Sequence, residues 1–246
     1  MMSLNIGQAI EEGGKRTIAR NGLYFVGIIW VLGILNGLVG NTIARNMFEQ
    51  FPGGMGPGMG GMGPGAGTAM GPGLGLPSGV AWVLSIVVGL ALAIVGAAAL
   101  RTFVTGERET LPSEHFTRNL VWMLLNLIIG GIVFGIAVAI GLVLLVIPGL
   151  FLLVSLFFWN VYVVVEDQNF IEGFQNSWAL TGGNRIMLFV LGVVVVIIAG
   201  VVGAIFGVPR AFLPGFLGLA IAQLGSAFGS VFTIATAART YEQLTG

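Results

Sequence analysis

The chain has 246 residues, of which 56% are hydrophobic and 8% charged, with a net charge of zero. A soluble domain carries roughly 25% charged residues, so polar surface is too scarce here to solvate a globule, and a neutral chain lacks the basic face of a nucleic-acid binder. The absence of cysteine removes disulfides, thiolate metal sites and thiol catalysis.

What remains is an all-α polytopic protein of the lipid bilayer, expected to form one integral membrane domain over residues 1–246. Residues 3–20 set Leu4, Ile6, Ala9 and Ile10 against Glu11, Glu12, Lys15, Arg16 and Arg20, a weak amphipathic pattern interrupted by Gly13-Gly14 and suited to the membrane interface. A first span follows at about 22–44, too long for a signal-peptide core of ~7–15 residues and so expected to stay as an anchor. Residues 45–79 form an expected loop. Its part from 53 to 79 holds thirteen Gly, four Met and four Pro, with the motif MGPG starting at Met55, Met62 and Met70. Such composition resists regular structure, and the loop is expected to be disordered. A second span covers about 80–100, and a charged segment with Pro112 positioned to start a short helix covers 101–118.

Residues 119–165 contain no charged residue and no histidine over 47 positions. As one helix they would be ~70 Å long, against ~30 Å of hydrocarbon core. They are expected to cross twice, at about 119–145 and 149–165, reversing at Ile147-Pro148-Gly149. The segment 166–185 carries an N-x-x-E cap at Asn169 and Glu172, an apolar face of Phe170, Ile171, Phe174 and Trp178, and a stop at Gly182-Gly183. It reads as an elbow helix on the membrane surface. Spans five and six cover about 186–207 and 216–238. Six spans place Lys15, Arg16, Arg20, Arg101, Arg108, Arg118, Arg185 and Arg239 on one side and only Arg45 and Arg210 on the other, which puts both termini in the cytoplasm. Each odd span begins at an Asn beside an Arg (Arg20-Asn21, Arg118-Asn119, Asn184-Arg185) after a polar or amphipathic segment. The order reads as three hairpins, each preceded by a cytoplasmic elbow.

Ile147-Pro148-Gly149-Leu150, Val164-Val165-Glu166-Asp167, Glu172, Ser177-Trp178, Leu180-Thr181 and Gly183-Asn184-Arg185 together resemble the glycerophosphoryl diester phosphodiesterase membrane domain and its YciC-like relatives. Residues 9–21 and 238–244 resemble the termini of that group. Ile171-Glu172, Gln175-Asn176 and Gly182 depart from its pattern, where Glu-Ala, a basic pair and Lys are usual, so this elbow is less basic. The named enzymes carry a separate soluble barrel for which these 246 residues have no room. The resemblance therefore implies an architecture and a membrane role, not an activity.

Chemistry-bearing residues are few. Met55, Met59, Met62 and Met70 are soft thioethers that could take Cu(I), but no His, Cys or carboxylate accompanies them, and a low-complexity linker explains them better. His115, the single histidine, is expected to be a solvated side chain, and Glu107/Glu109 and Glu166/Asp167 a solvated rim. No metal or cofactor is expected. Within the spans Asn126, Asn160 and Gln223 are candidate polar contacts, either hydrogen bonds between helices or the lining of a solute path. Gly33/Gly37, Gly131/Gly135, Gly203/Gly207 and Gly225/Gly229 permit close helix approach, within the chain or to a protein partner or second copy. A non-enzymatic structural, assembly or partner-binding protein is the leading expectation, a passive transporter or channel for a small solute or lipid the alternative, and an enzyme the least supported.

Overall fold

The computed structural model describes residues 4–50, 71–213 and 215–246, all helix or connection. The helices are α1 (Ile6–Ile18), α2 (Arg20–Gln50), α3 (Ser78–Val104), α4 (Glu114–Thr117), α5 (Leu120–Leu144), α6 (Val146–Ser155), α7 (Trp159–Val165), α8 (Phe170–Leu180), α9 (Arg185–Gly207), α10 (Pro209–Phe212) and α11 (Phe216–Thr245). Six segments are long and apolar enough to cross a membrane: α2, α3, α5, α6 with α7, α9 and α11. Short helices α1, α4 and α8 each precede a pair of these, so elbow, span, span occurs three times in chain order. Exposure is inverted relative to a soluble fold. Val143 is 87% exposed while the side chain of Arg101 is 3% exposed, the pattern of helices solvated by lipid on their outer faces.

Several boundaries move from their expected positions for local reasons. Helix α2 runs through Gln50, because Arg45 to Gln50 contains neither Gly nor Pro to stop it. Helix α1 passes straight through Gly13-Gly14. Gly13 is buried where a β-carbon would collide with Thr236 of α11, whereas a β-carbon at Gly14 would meet nothing. The pair therefore marks a close helix approach. The reversal within 119–165 falls at Leu145, whose extended backbone separates α5 from α6, not at Ile147-Pro148-Gly149. Pro148 lies in the first turn of α6, where its missing N–H has no partner to lose. Gly149 meets Gly141 across the hairpin, with a β-carbon on Gly141 falling 2.8 Å from Gly149 Cα. A break at 156–158 also divides span four into α6 and α7.

The chain divides into two compact units. The first comprises residues 1–26, 93–200 and 228–246 and holds both ends of the chain. In it α1 lies along the end of α11: Asn5 N–H donates to Gln243 Oε1 (3.0 Å), and Arg16 clasps Glu242 through both guanidinium nitrogens (2.6 and 2.9 Å) while donating to Phe103 C=O (2.7 Å). On the exposed side of α1, Lys15 donates to Glu11 and Glu12, which holds the Glu12 carboxyl below its ordinary pKa and raises that of Lys15.

The second unit comprises 27–92 and 201–227. Here the Gly33/Gly37 pair of α2 receives α11: β-carbons there would fall 2.9 Å from Gln223 Oε1 and 2.8 Å from Leu219 Cδ1, and Trp30 Nε1–H donates to Ala220 C=O (2.7 Å). Residues 71–77 lie against α2, with Asn41, Arg45 and Asn46 donating to the carbonyls of Pro72, Gly71 and Leu76, and Leu74 N–H donating to Thr42 Oγ1. Of the other small-residue pairs, Gly225 takes the Phe206 ring, while Gly131/Gly135 and Gly203/Gly207 meet nothing within 4 Å.

Gly13→Leu is expected to destabilise the solubilised protein by about 1–3 kcal/mol through overpacking, and Gly14→Leu to leave it unchanged or slightly firmer. Thermal unfolding of both variants in one detergent reads the contrast.

Candidate functional site

Polar chemistry concentrates in the first unit, where α8 meets the divided span. Asn169 caps α8, accepting from Glu172 N–H (2.9 Å) while Glu172 Oε2 accepts from Asn169 N–H (3.4 Å), the expected capping box. The face that α8 turns to the span is Gly173, Ser177 and Thr181, four residues apart and buried. Of the expected apolar face, Phe170 and Phe174 are half-buried, with Phe174 5.3 Å from the Trp159 ring, while Ile171 and Trp178 are exposed.

The break at 156–158 leaves backbone groups without helical partners, and α8 supplies them. Phe158 N–H donates to Ser177 Oγ (3.0 Å), and the hydroxyls of Ser177 and Thr181 both donate to Ser155 C=O (3.1 Å each). A broken helix is tolerated at membrane depth only where such groups are met from within the protein. Asn126 secures the other end of α8: its Oδ1 accepts from Phe170 N–H (3.0 Å) and its Nδ2 donates to Trp122 C=O (2.9 Å). One turn along α5, Gly130 leaves room for the Trp159 ring and Phe170.

Arg101, at the end of α3, is with Arg16 a buried cation of this unit. Its Nε donates to Val164 C=O and its Nη1 to His115 C=O, both at 2.8 Å, and its Nη2 lies 3.8 Å from Asp167 Oδ1. Asp167 adopts a left-handed backbone (φ 55°) and pairs with Arg118 on its other oxygen. His115 is buried rather than solvated, because α4 folds its carbonyl over Arg101. Thr102 Oγ1 lies within hydrogen-bond distance of both Ala98 C=O (2.8 Å) and His115 Nδ1 (2.9 Å). Tyr241 O–H donates to Glu166 (3.2 Å), and the Asn21 side chain to Glu107 C=O. The carboxylates Glu166 and Asp167 thus belong to a hydrogen-bonded network. Among the described residues no group of three or more His, Cys, Asp or Glu is placed to hold a metal, and Met55, Met59, Met62 and Met70 lie outside those residues.

The three amides separate. Asn126 anchors α8, and Gln223 lies against Gly33 and Gly37 in the second unit. Asn160 is exposed and lines a groove of about 300 Å³ between α3, α5, α7 and α11 in the first unit. A second, more apolar groove of about 360 Å³ lies between α6, α9 and α11, and Phe157, Thr233 and Ala237 line both. Gly173, Ser177 and Thr181 had a signal in the sequence, namely small residues at four-residue spacing along an amphipathic segment.

Six apolar spans and a polar cap built from the elbows define a multi-pass α-helical membrane protein. The chain belongs to the family described as domain of unknown function DUF7847, which it matches over residues 4–244. Neither a curated protein nor a solved structure matches it.

Ser177→Ala removes one acceptor and one donor from the break and is expected to destabilise the protein by about 1–3 kcal/mol. Amide hydrogen exchange at Phe158 should accelerate in that variant while exchange in α5 stays as in the wild type.

Proposed function

We propose that the protein is a non-enzymatic component of the cell membrane with a structural, assembly or partner-binding role. The observation that carries this reading is how the polar groups of the first unit are used. Arg16, Arg101, Arg118, Glu242 and Asp167 hold helix ends to one another, and Asn126, Ser177 and Thr181 hold α8 to the divided span. A cap tied in this way is a rigid platform. The resemblance of 147–150, 164–167, Ser177-Trp178, Leu180-Thr181 and 183–185 to glycerophosphoryl diester phosphodiesterase membrane domains supports an architecture shared with that group.

Both termini belong in the cytoplasm on this reading. Asn5 and Arg16 meet Gln243 and Glu242, which puts the two ends of the chain together, and the arginine-rich ends of the spans share that side. The alternative, a passive path for a small solute or lipid, draws its support from Asn160 in its groove. Asn126 and Gln223 are engaged elsewhere.

Two measurements test these statements. Purified protein in sealed vesicles is expected to release no entrapped solute and to scramble no labelled lipid above protein-free vesicles. Flux that disappears in Asn160→Leu would replace the structural reading with the transport one. The chain has no cysteine, so Thr245→Cys provides a unique thiol. An impermeant maleimide should label it only after cells are opened, and labelling of intact cells would invert the topology.

A further inference from the structure

The groove between α6, α9 and α11 is apolar along its length. Its α9 wall carries Leu188, Gly192 and Val195, and its other walls include Leu150 and Phe157 on one side and Thr240 on the other. The threonines do not make it polar. The hydroxyls of Thr233 and Thr240 donate back to Gly229 and Thr236 carbonyls, and the Thr236 hydroxyl sits against Gly13. From Leu188 to Ile197 the wall spans ~14 Å, about half of a ~30 Å hydrocarbon core and so the depth of a single leaflet. Exposed Val196 and Ile197 border it, so it opens laterally.

At one end the character changes. Arg185 lies one turn before Leu188 on the same face of α9, at the end where Thr240 lines the opposite wall. Its guanidinium lies 4.7 Å from the Phe151 ring and 4.5 Å from the Trp178 ring, which meet each other edge-on at 5.4 Å, and it donates to Trp178 C=O (3.3 Å). No carboxylate pairs with it among the described residues, and its buried Nε has no hydrogen-bond partner there. Arg16, Arg101, Arg108, Arg118 and Arg239 each have an acidic partner, while Arg20 donates to the Tyr24 hydroxyl. The Phe151 and Trp178 rings pack against this planar cation, and its remaining donors are suited to a phosphate.

We infer that the groove is a binding site for one phospholipid of the adjoining leaflet, with an acyl chain along Leu188, Gly192 and Val195 and the phosphate on Arg185. An anionic head joined to a leaflet-long apolar chain is the ligand whose charge and polarity match the groove from end to end. The inference goes beyond the structural role proposed above and does not depend on it, since vesicle flux tests that role and lipid retention tests this site.

Gly192 allows a direct test, because a β-carbon there would meet nothing within 4 Å. Gly192→Phe fills the groove without forcing the backbone. The detergent-solubilised protein, loaded with phosphatidylglycerol and washed, is measured by native mass spectrometry. The wild type is expected to keep one lipid per chain, Gly192→Phe and Arg185→Gln to keep at least tenfold less, and Arg185→Lys to keep at least half the wild-type amount. Retention in Gly192→Phe or in Arg185→Gln equal to wild type overturns the assignment. Wild-type protein photolabelled with phosphatidylglycerol bearing a diazirine on its acyl chain provides the arm that needs no variant. Adducts within 188–197 or 233–240 support the site, and adducts confined to other segments overturn it.

Discussion

A helix that breaks inside a membrane leaves an N–H and a C=O that lipid cannot satisfy, and the arrangement of the first unit follows from meeting that need. Phe158 and Ser155 present such groups, and Ser177 and Thr181 of α8 meet them. To bring two hydroxyls to one carbonyl, α8 must press its narrow Gly173–Ser177–Thr181 face against the span. That demands a fixed start, supplied by the Asn169 cap and by Asn126, and a close approach, supplied by Gly173, where a β-carbon would fall 2.8 Å from Trp159 C=O. Trp178, exposed on a neighbouring face of α8, is then free to pack its ring against Arg185. A backbone requirement in one span thereby places the elbow, the aromatic pair and the cation at the end of the apolar groove.

The buried guanidinium of Arg101 serves the neighbouring helix ends similarly. Isolated in an apolar interior it would cost several kcal/mol. Two backbone carbonyls from different elements, with Asp167 nearby, offset that cost and tie α3, α4 and α7 together. Removing the side chain would leave the Val164 and His115 carbonyls without their charged donor, so the cation is part of the cap's architecture.

Helix count and class were legible because they rest on length and composition. The 47 uncharged residues from 119 to 165 cannot form one span. The Asn169–Glu172 cap was legible for the same local reason, since both partners lie within one turn. What could not be read depends on residues distant in the chain. Nothing in Leu156-Phe157-Phe158 marks a break, because the segment is apolar and lacks Gly and Pro, and its cause lies 19 to 26 residues later. His115 sits among charged neighbours and looks solvated until Arg101 from another helix draws its carbonyl inward. Pro148 misled for a different reason. Proline ends a helix interior but suits a first turn, and which one applies was decided by Leu145.

The separation between the break and its partners has a consequence for biosynthesis. Ser177 and Thr181 follow Phe158 and Ser155 by 19 and 26 residues, so a ribosome adding ~5–20 residues per second delivers them about 1–5 s after the span they complete. Throughout that interval nothing within Leu156-Phe157-Phe158 itself interrupts the helix, so the fourth span is free to enter the membrane unbroken. It divides into α6 and α7 when Ser177 and Thr181 arrive to meet Phe158 N–H and Ser155 C=O, so the order of synthesis is part of how this fold is reached.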